Sequence, residues 1–187
     1  MKKRVIRRKK LEPTPGYVAL AGPENTVSYR PPAPGDPLYA LVGEIASKWS
    51  FVELLLDHCI ATLADIDHGI TACITAQMQS FYPKCLTIFA LASHRGLPKV
   101  AEAAERLKGK LSEASEKRNR AVHDRLLIDH KEGRPYKDHR MAKSELIYGL
   151  KPFDKSELRS VLALIDKRRV DCLKLHDLIR SEVYEYT

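Results

Sequence analysis

The feature that most constrains this chain is a run of apolar positions between Leu38 and Leu63. Leu38, Val42, Ile45, Trp49, Val52, Leu56, Cys59 and Leu63 recur at alternating spacings of four and three, eight in succession with no polar interruption. A seam of that period fits one face of an α-helix, and burying so long a stripe requires other helices to pack on it. Asp36-Pro37 just before it offers an N-cap and a proline at the first helical position. A long helix from about residue 37 is therefore expected, within an antiparallel bundle.

Three further helical segments are expected. A pattern over 69–94 has Ile70, Ile74, Phe81, Ile88 and Phe89 as buried candidates, a kink or boundary at Pro83, and a stop at His94-Arg95-Gly96. Pro98 opens the next, whose seam reads Val100, Ala104, Leu107, Leu111, Ala114 and then Arg118. The helical period fails over 126–152. There Leu126-Leu127-Ile128 and the turn-forming Lys131-Glu132-Gly133-Arg134-Pro135 predict a short strand and an irregular hairpin returning near Ile147-Tyr148. Asp154-Lys155-Ser156-Glu157 is a capping-box pattern. It begins a last helix carrying Leu158, Val161, Leu162, Ile165, Cys172, Leu173, Ile179 and Val183. The expected fold class is all-α, a four-to-five-helix antiparallel bundle with a short irregular or β-hairpin excursion between the last two helices.

Residues 1–36 read differently. Six prolines and three glycines exclude helix there, so an arm is expected, with a short strand around Tyr17–Leu20, lying along a partner subunit. The net charge of +8 is concentrated in it: residues 1–10 hold seven cations and no acid, whereas the remainder is nearly neutral. Lys2, Lys3, Arg4, Arg7 and Arg8 are thus candidates for sequence-independent contact with nucleic acid or an anionic surface. The alternative is a solvated or targeting tail. Residues 37–187 are expected to form the helical domain. No run approaches the roughly 20 apolar residues of a membrane helix, and none near the N-terminus has signal-peptide length, so a cytoplasmic protein without membrane association is expected. Cys59, Cys73, Cys85 and Cys172 form no C-x-x-C pair and read as reduced core residues rather than metal ligands.

Where the third seam reaches Arg118, the sequence runs Arg118-Asn119-Arg120-Ala121-Val122-His123-Asp124. A guanidinium at a core-facing position is costly to bury unpaired, so the helix leaves the core there or the cation has a partner, with Glu44 and Glu53 as candidates. An Arg separated from a His by four residues is not specific: less than one match is expected by chance, and the chain has three, Arg118/His123, Arg125/His130 and Arg134/His139. Only the first follows a long seam helix and has Asn directly after the Arg. On that helix Asn119 and His123 share a ridge, with Arg118 on the adjacent row.

The form Arg118-Asn119-x3-His123, with the four-helix layout and Trp49 and Glu53 four apart on the first helix, resembles the HEPN superfamily. Its motif is Arg-x4-6-His, very often with Asn after the Arg. The resemblance extends in organisation over about residues 37–185, although its specific part is six residues and the basic arm lies outside the family pattern. It implies a homodimer whose two Arg/His sets line a shared cleft and cleave RNA without a metal or other cofactor, as in RNases of toxin–antitoxin, phage-defence and RNA-processing systems. Arg118, Asn119 and His123 inherit the catalytic roles by that resemblance. An antitoxin or a small nucleotidyltransferase is the implied further partner.

The residue chemistry agrees. RNA brings its own nucleophile, the 2′-hydroxyl. An imidazole changes protonation near neutrality and suits proton transfer there. A guanidinium donates two parallel bonds to phosphate oxygens. Asn119 would orient the imidazole or the phosphate. Arg120 and Arg125 are candidates for holding the RNA backbone, and Asp124 for pairing with either of them. The competing function is a non-catalytic RNA-binding or partner-binding regulatory module. His58, His68 and His176 read as boundary or surface residues, and Trp49 as a core anchor.

Overall fold

The computed structural model describes Pro15 and residues 29–142 and 146–184. The expected strand at Tyr17–Leu20 and the cations of residues 2–8 lie outside the described residues. The chain divides into two compact units, one from Gly35–His123 and Lys155–Thr187, the other from Met1–Pro34 and Asp124–Asp154. No helix among the described residues is long and apolar enough to cross a membrane.

The first unit is helical. Helix α1 spans Pro37–Ala64 and starts where the sequence places it, with the Asp36 carboxylate accepting from the Leu38 N–H at 2.9 Å. Seven of its eight seam residues are buried and Val42 is half-buried. Trp49 anchors the packing: its ring meets Phe81 edge-on at 6.1 Å between centroids, and its Nε1–H donates to Glu53 Oε1 at 3.0 Å. A buried indole needs such a partner for its one polar group.

The pattern over 69–94 resolves into two helices, α2 (His68–Thr75) and α3 (Phe81–His94). The break falls at 76–80, not at Pro83. Pro83 sits in the first turn of α3, where its missing N–H would have had no intrahelical partner. Phe81 and Ile88 are buried as expected. Ile70, Ile74 and Phe89, also expected inside, are 56%, 46% and 41% exposed. Gly96, at φ +70°, turns the chain out of α3 and into α4 (Pro98–His123). In α4, Val100, Ala104, Leu107, Leu111 and Ala114 are all buried. Helix α5 covers Lys155–Tyr184 and buries Leu158, Leu162, Ile165, Cys172 and Ile179, whereas Leu173 is exposed.

Helix directions follow from paired residues. Lys99 at the start of α4 meets Glu182 at the end of α5 at 2.9 Å, and Lys110 meets Asp171 at 3.5 Å, so these two are antiparallel. Helix α3 turns tightly into α4, and Lys108 of α4 lies over the Tyr82 ring at the start of α3 at 5.4 Å, so this pair is antiparallel too. Helices α1 and α5, however, are parallel: Lys48 pairs with Asp166 at 2.7 Å, and the His58 ring lies 6.2 Å from that of His176. The expectation of a wholly antiparallel bundle is corrected to that extent. Its cause is α2, which with its flanking turns carries the chain back along α1 from Ala64 to the level of Trp49, so that α3 starts over in the same direction as α1.

The buried thiols of Cys59, Cys85 and Cys172 belong to the helical core. Burial pushes Cys85 and Cys172 up to about 12 and raises Cys59 in the same direction. Cys73, expected in the core with them, is instead exposed on α2.

The second unit is a sheet. Strands β1 (Tyr29–Arg30), β2 (Arg125–Asp129), β3 (Pro135–Ala142) and β4 (Leu146–Pro152) pair antiparallel in that order. The excursion is thus a meander rather than an isolated hairpin. The β2–β3 turn is closed by Gly133 at φ +67° and by Asp129, whose carboxylate accepts from the Lys131 N–H at 2.8 Å. Tyr29 packs edge-on against Tyr136 at 5.5 Å, and the Lys137 ammonium sits 4.1 Å over the Phe153 ring.

Candidate functional site

Arg118, Asn119, Arg120 and His123 all lie in the last two turns of α4. The apolar seam that leads to them steps from Ala114 over Arg118 to Ala121, which is buried. The helix therefore does not leave the core at Arg118. Instead the side chain runs outward from a half-buried base, the snorkelling that long cationic residues allow. Its Nε–H is shielded from solvent and has no hydrogen-bond partner among the described residues. Its Nη1 reaches the surface and donates to Asn119 Oδ1 at 2.9 Å.

That bond settles the question of a partner differently from expectation. Glu53 accepts from Trp49 and Glu44 pairs with Lys48 at 3.2 Å; the bond from Arg118 goes to its own neighbour. An amide is a neutral acceptor, so the guanidinium keeps its full charge and its remaining N–H groups for a ligand. Asn119 is therefore tied to the cation rather than to the imidazole. His123 is exposed, one turn beyond Asn119 on the same ridge. The arrangement offers a fixed cation and an accessible imidazole on one helix end, which is the equipment for holding a phosphate and moving a proton beside it.

The other candidates divide. Arg120 pairs with Glu116 at 3.3 Å, an i,i+4 contact on the helix surface. Arg125 is exposed at the start of β2, in register with Asp138, and belongs to the sheet unit. Among the described residues no group of three or more His, Cys, Asp or Glu gathers in a way that could hold a metal ion.

Two hollows are defined by described residues of the helical unit, and Arg118, Asn119 and His123 are in the lining of neither. One of ≈ 670 Å³ lies between the α3–α4 turn and the end of α5, at Arg95, Lys99 and Glu182. The other, of ≈ 200 Å³, lies between α4 and α5. Sequence reading missed a further cluster, the rings of His58, His68 and His176. His58 lies 4.7 Å from His68 and 6.2 Å from His176, so three helices meet at imidazoles. The pKa of His176 is lowered, first by desolvation and then by His58. The offset of 118 that His58 and His176 share with Lys48 and Asp166 is the register of α1 against α5, which only the structure shows.

Comparison with protein-family models, with curated proteins and with solved structures gave no match.

Proposed function

We propose that the protein is a metal-independent endoribonuclease of HEPN type that acts as a homodimer, as a toxin or phage-defence effector. The observation that carries this reading is the Arg118–Asn119 hydrogen bond beside the exposed His123 at the end of α4. The motif supplies the residue types, and the bond supplies a guanidinium oriented yet still charged.

In the proposed reaction the 2′-hydroxyl oxygen attacks the adjacent phosphorus while His123 accepts the hydroxyl proton. The P–O5′ bond breaks, and the departing 5′-oxygen takes a proton from the imidazolium of His123 in the second copy of the chain. The products are a 2′,3′-cyclic phosphate and a 5′-hydroxyl, with no water consumed. Arg118 binds the non-bridging oxygens, whose charge grows in the transition state.

The test is incubation of the full chain with labelled single-stranded RNA in EDTA. Wild type should cleave, and Arg118→Ala and His123→Ala should each lose at least about 100-fold in rate while melting at the parental temperature. Cleavage by both variants at the wild-type rate would sink the catalytic assignment, and binding without product would assign a regulatory RNA-binding module.

A further inference from the structure

Charge is unevenly distributed among the helices. Helix α4 carries seven Lys or Arg against four Glu and α5 seven against five acids, whereas α1 carries one Lys against three acids. Three of these cations, two from α4 and one from α5, line the ≈ 200 Å³ cleft between these helices. Its floor is apolar, formed by Leu107, Leu175 and Leu178, and its banks carry Arg106 and Lys110 from α4 and Lys174 from α5.

These three cations are open to a ligand. Lys174 forms no ion pair among the described residues. Arg106 pairs with Glu102 at 3.3 Å, with both side chains about two-thirds exposed or more, a contact of little energy in water. Lys110 is 3.5 Å from Asp171, but that carboxylate is already engaged by the buried Arg168, whose Nη1 donates to it at 2.8 Å. The cleft's one acid is thus neutralised from beneath, and the bank cations outnumber it.

The cleft also has a direction. Lys117 follows Lys110 by seven residues, two turns along the same stripe of α4, and Arg118 is its neighbour. Lys110 is about 12 Å and Arg106 about 18 Å from Arg118 along the helix axis. No aromatic residue lines the cleft, so there is no platform on which bases could stack.

We infer that the α4–α5 cleft binds the phosphate backbone of a single-stranded polynucleotide and leads it towards Arg118. This rests on the ribonuclease reading and adds to it a sequence-independent substrate track. An acidic protein segment would also meet the cations, but it lacks the regular anionic repeat that matches a stripe continuing over two turns.

The test uses the full chain with His123→Ala as background, to prevent turnover, and a fluorescent single-stranded RNA. The triple variant Arg106→Gln/Lys110→Gln/Lys174→Gln should bind about tenfold to 100-fold more weakly at 0.1 M salt. Its salt dependence should fall by about two in slope, as expected for three lost phosphate contacts. The charge-conserving triple Arg106→Lys/Lys110→Arg/Lys174→Arg should keep both, which separates charge from folding. The arm's cations are common to all these proteins and cancel in the comparison. A glutamine triple with the background's affinity and slope would overturn the track alone, leaving the Arg118 and His123 reading to its own cleavage assay. A background protein that binds no RNA would overturn both. Equal competition by polyglutamate and by an RNA of the same charge would overturn the polynucleotide assignment in favour of an acidic protein.

Discussion

The guanidinium of Arg118 is fixed by the residue that follows it, with Nη1 donating to Asn119 Oδ1 at 2.9 Å while Nε is sealed from water. Asn119 itself is exposed, so its side chain contributes orientation rather than packing. Asn119→Ala is expected to lower the rate of RNA cleavage by about tenfold, the scale of one hydrogen bond to a charged group, with the melting temperature unchanged. Rates under single-turnover conditions check this, and an unaltered rate would mean the amide positions nothing.

Trp49 is the only tryptophan in the chain and is buried against Phe81 with its N–H bonded to Glu53. Trp49→Ala should destabilise the protein by about 3–5 kcal/mol, the range for deleting a large buried aromatic. Urea unfolding followed by circular dichroism measures it. A loss under about 1 kcal/mol would contradict the anchoring role.

Arg168 is 7% exposed, with its Nη1 bonded to Asp171 and its Nε without a partner among the described residues. Removing the carboxylate strands a buried cation, so Asp171→Ala should cost about 3 kcal/mol or more. The double variant Arg168→Met/Asp171→Leu should be closer to wild type than Asp171→Ala is. The ordering of the two unfolding midpoints is the readout, and the reverse order would show that the pair is not coupled.

Stability should depend on His176. Desolvation lowers its folded pKa, as do His58, Arg180 and His68, while Asp177 opposes them. A folded value below the usual 6.5 means that the unfolded chain binds the proton more readily. Its contribution is therefore fully present above about pH 6.5 and is lost as pH falls towards and below the folded value. Wild type should melt lower at pH 5.5 than at pH 7.5, and His176→Gln should show a smaller drop. Identical drops in both proteins would remove His176 as the cause.

Much of the fold is legible in the period of the apolar residues. The seams of α1 and α4 could be read position by position because each apolar side chain falls where a straight helix repeats, and Asp36 caps α1 through chemistry confined to three residues. The reading failed where burial depends on a partner. Ile70, Ile74 and Phe89 have the right character and spacing, but no element covers them among the described residues. The break at 76–80 contains neither Gly nor Pro, so nothing local announces it, whereas Pro83 is tolerated in a first turn. The extent of the meander does not show in the sequence because β3, after Pro135, runs through the mostly polar Tyr136-Lys137-Asp138, in which a strand shows only through its pairing.

At the candidate site, the sequence places Arg118, Asn119 and His123 on one helix end, since their spacing is fixed by the helix itself. What it could not show is the choice of partner. Glu44 and Glu53 were chemically the stronger acceptors for a cation, but Lys48 and Trp49 occupy them from the same helix. The neutral neighbour was left to hold the guanidinium.

The contrast between one open thiol and three sealed ones makes the protein its own labelling system. Cys59, Cys85 and Cys172 are buried with raised pKa values, so a maleimide dye should react with Cys73 alone in the native state. With Trp49 as a built-in emitter, an acceptor on Cys73 would report by energy transfer the separation of α2 from the middle of α1, without any engineered residue.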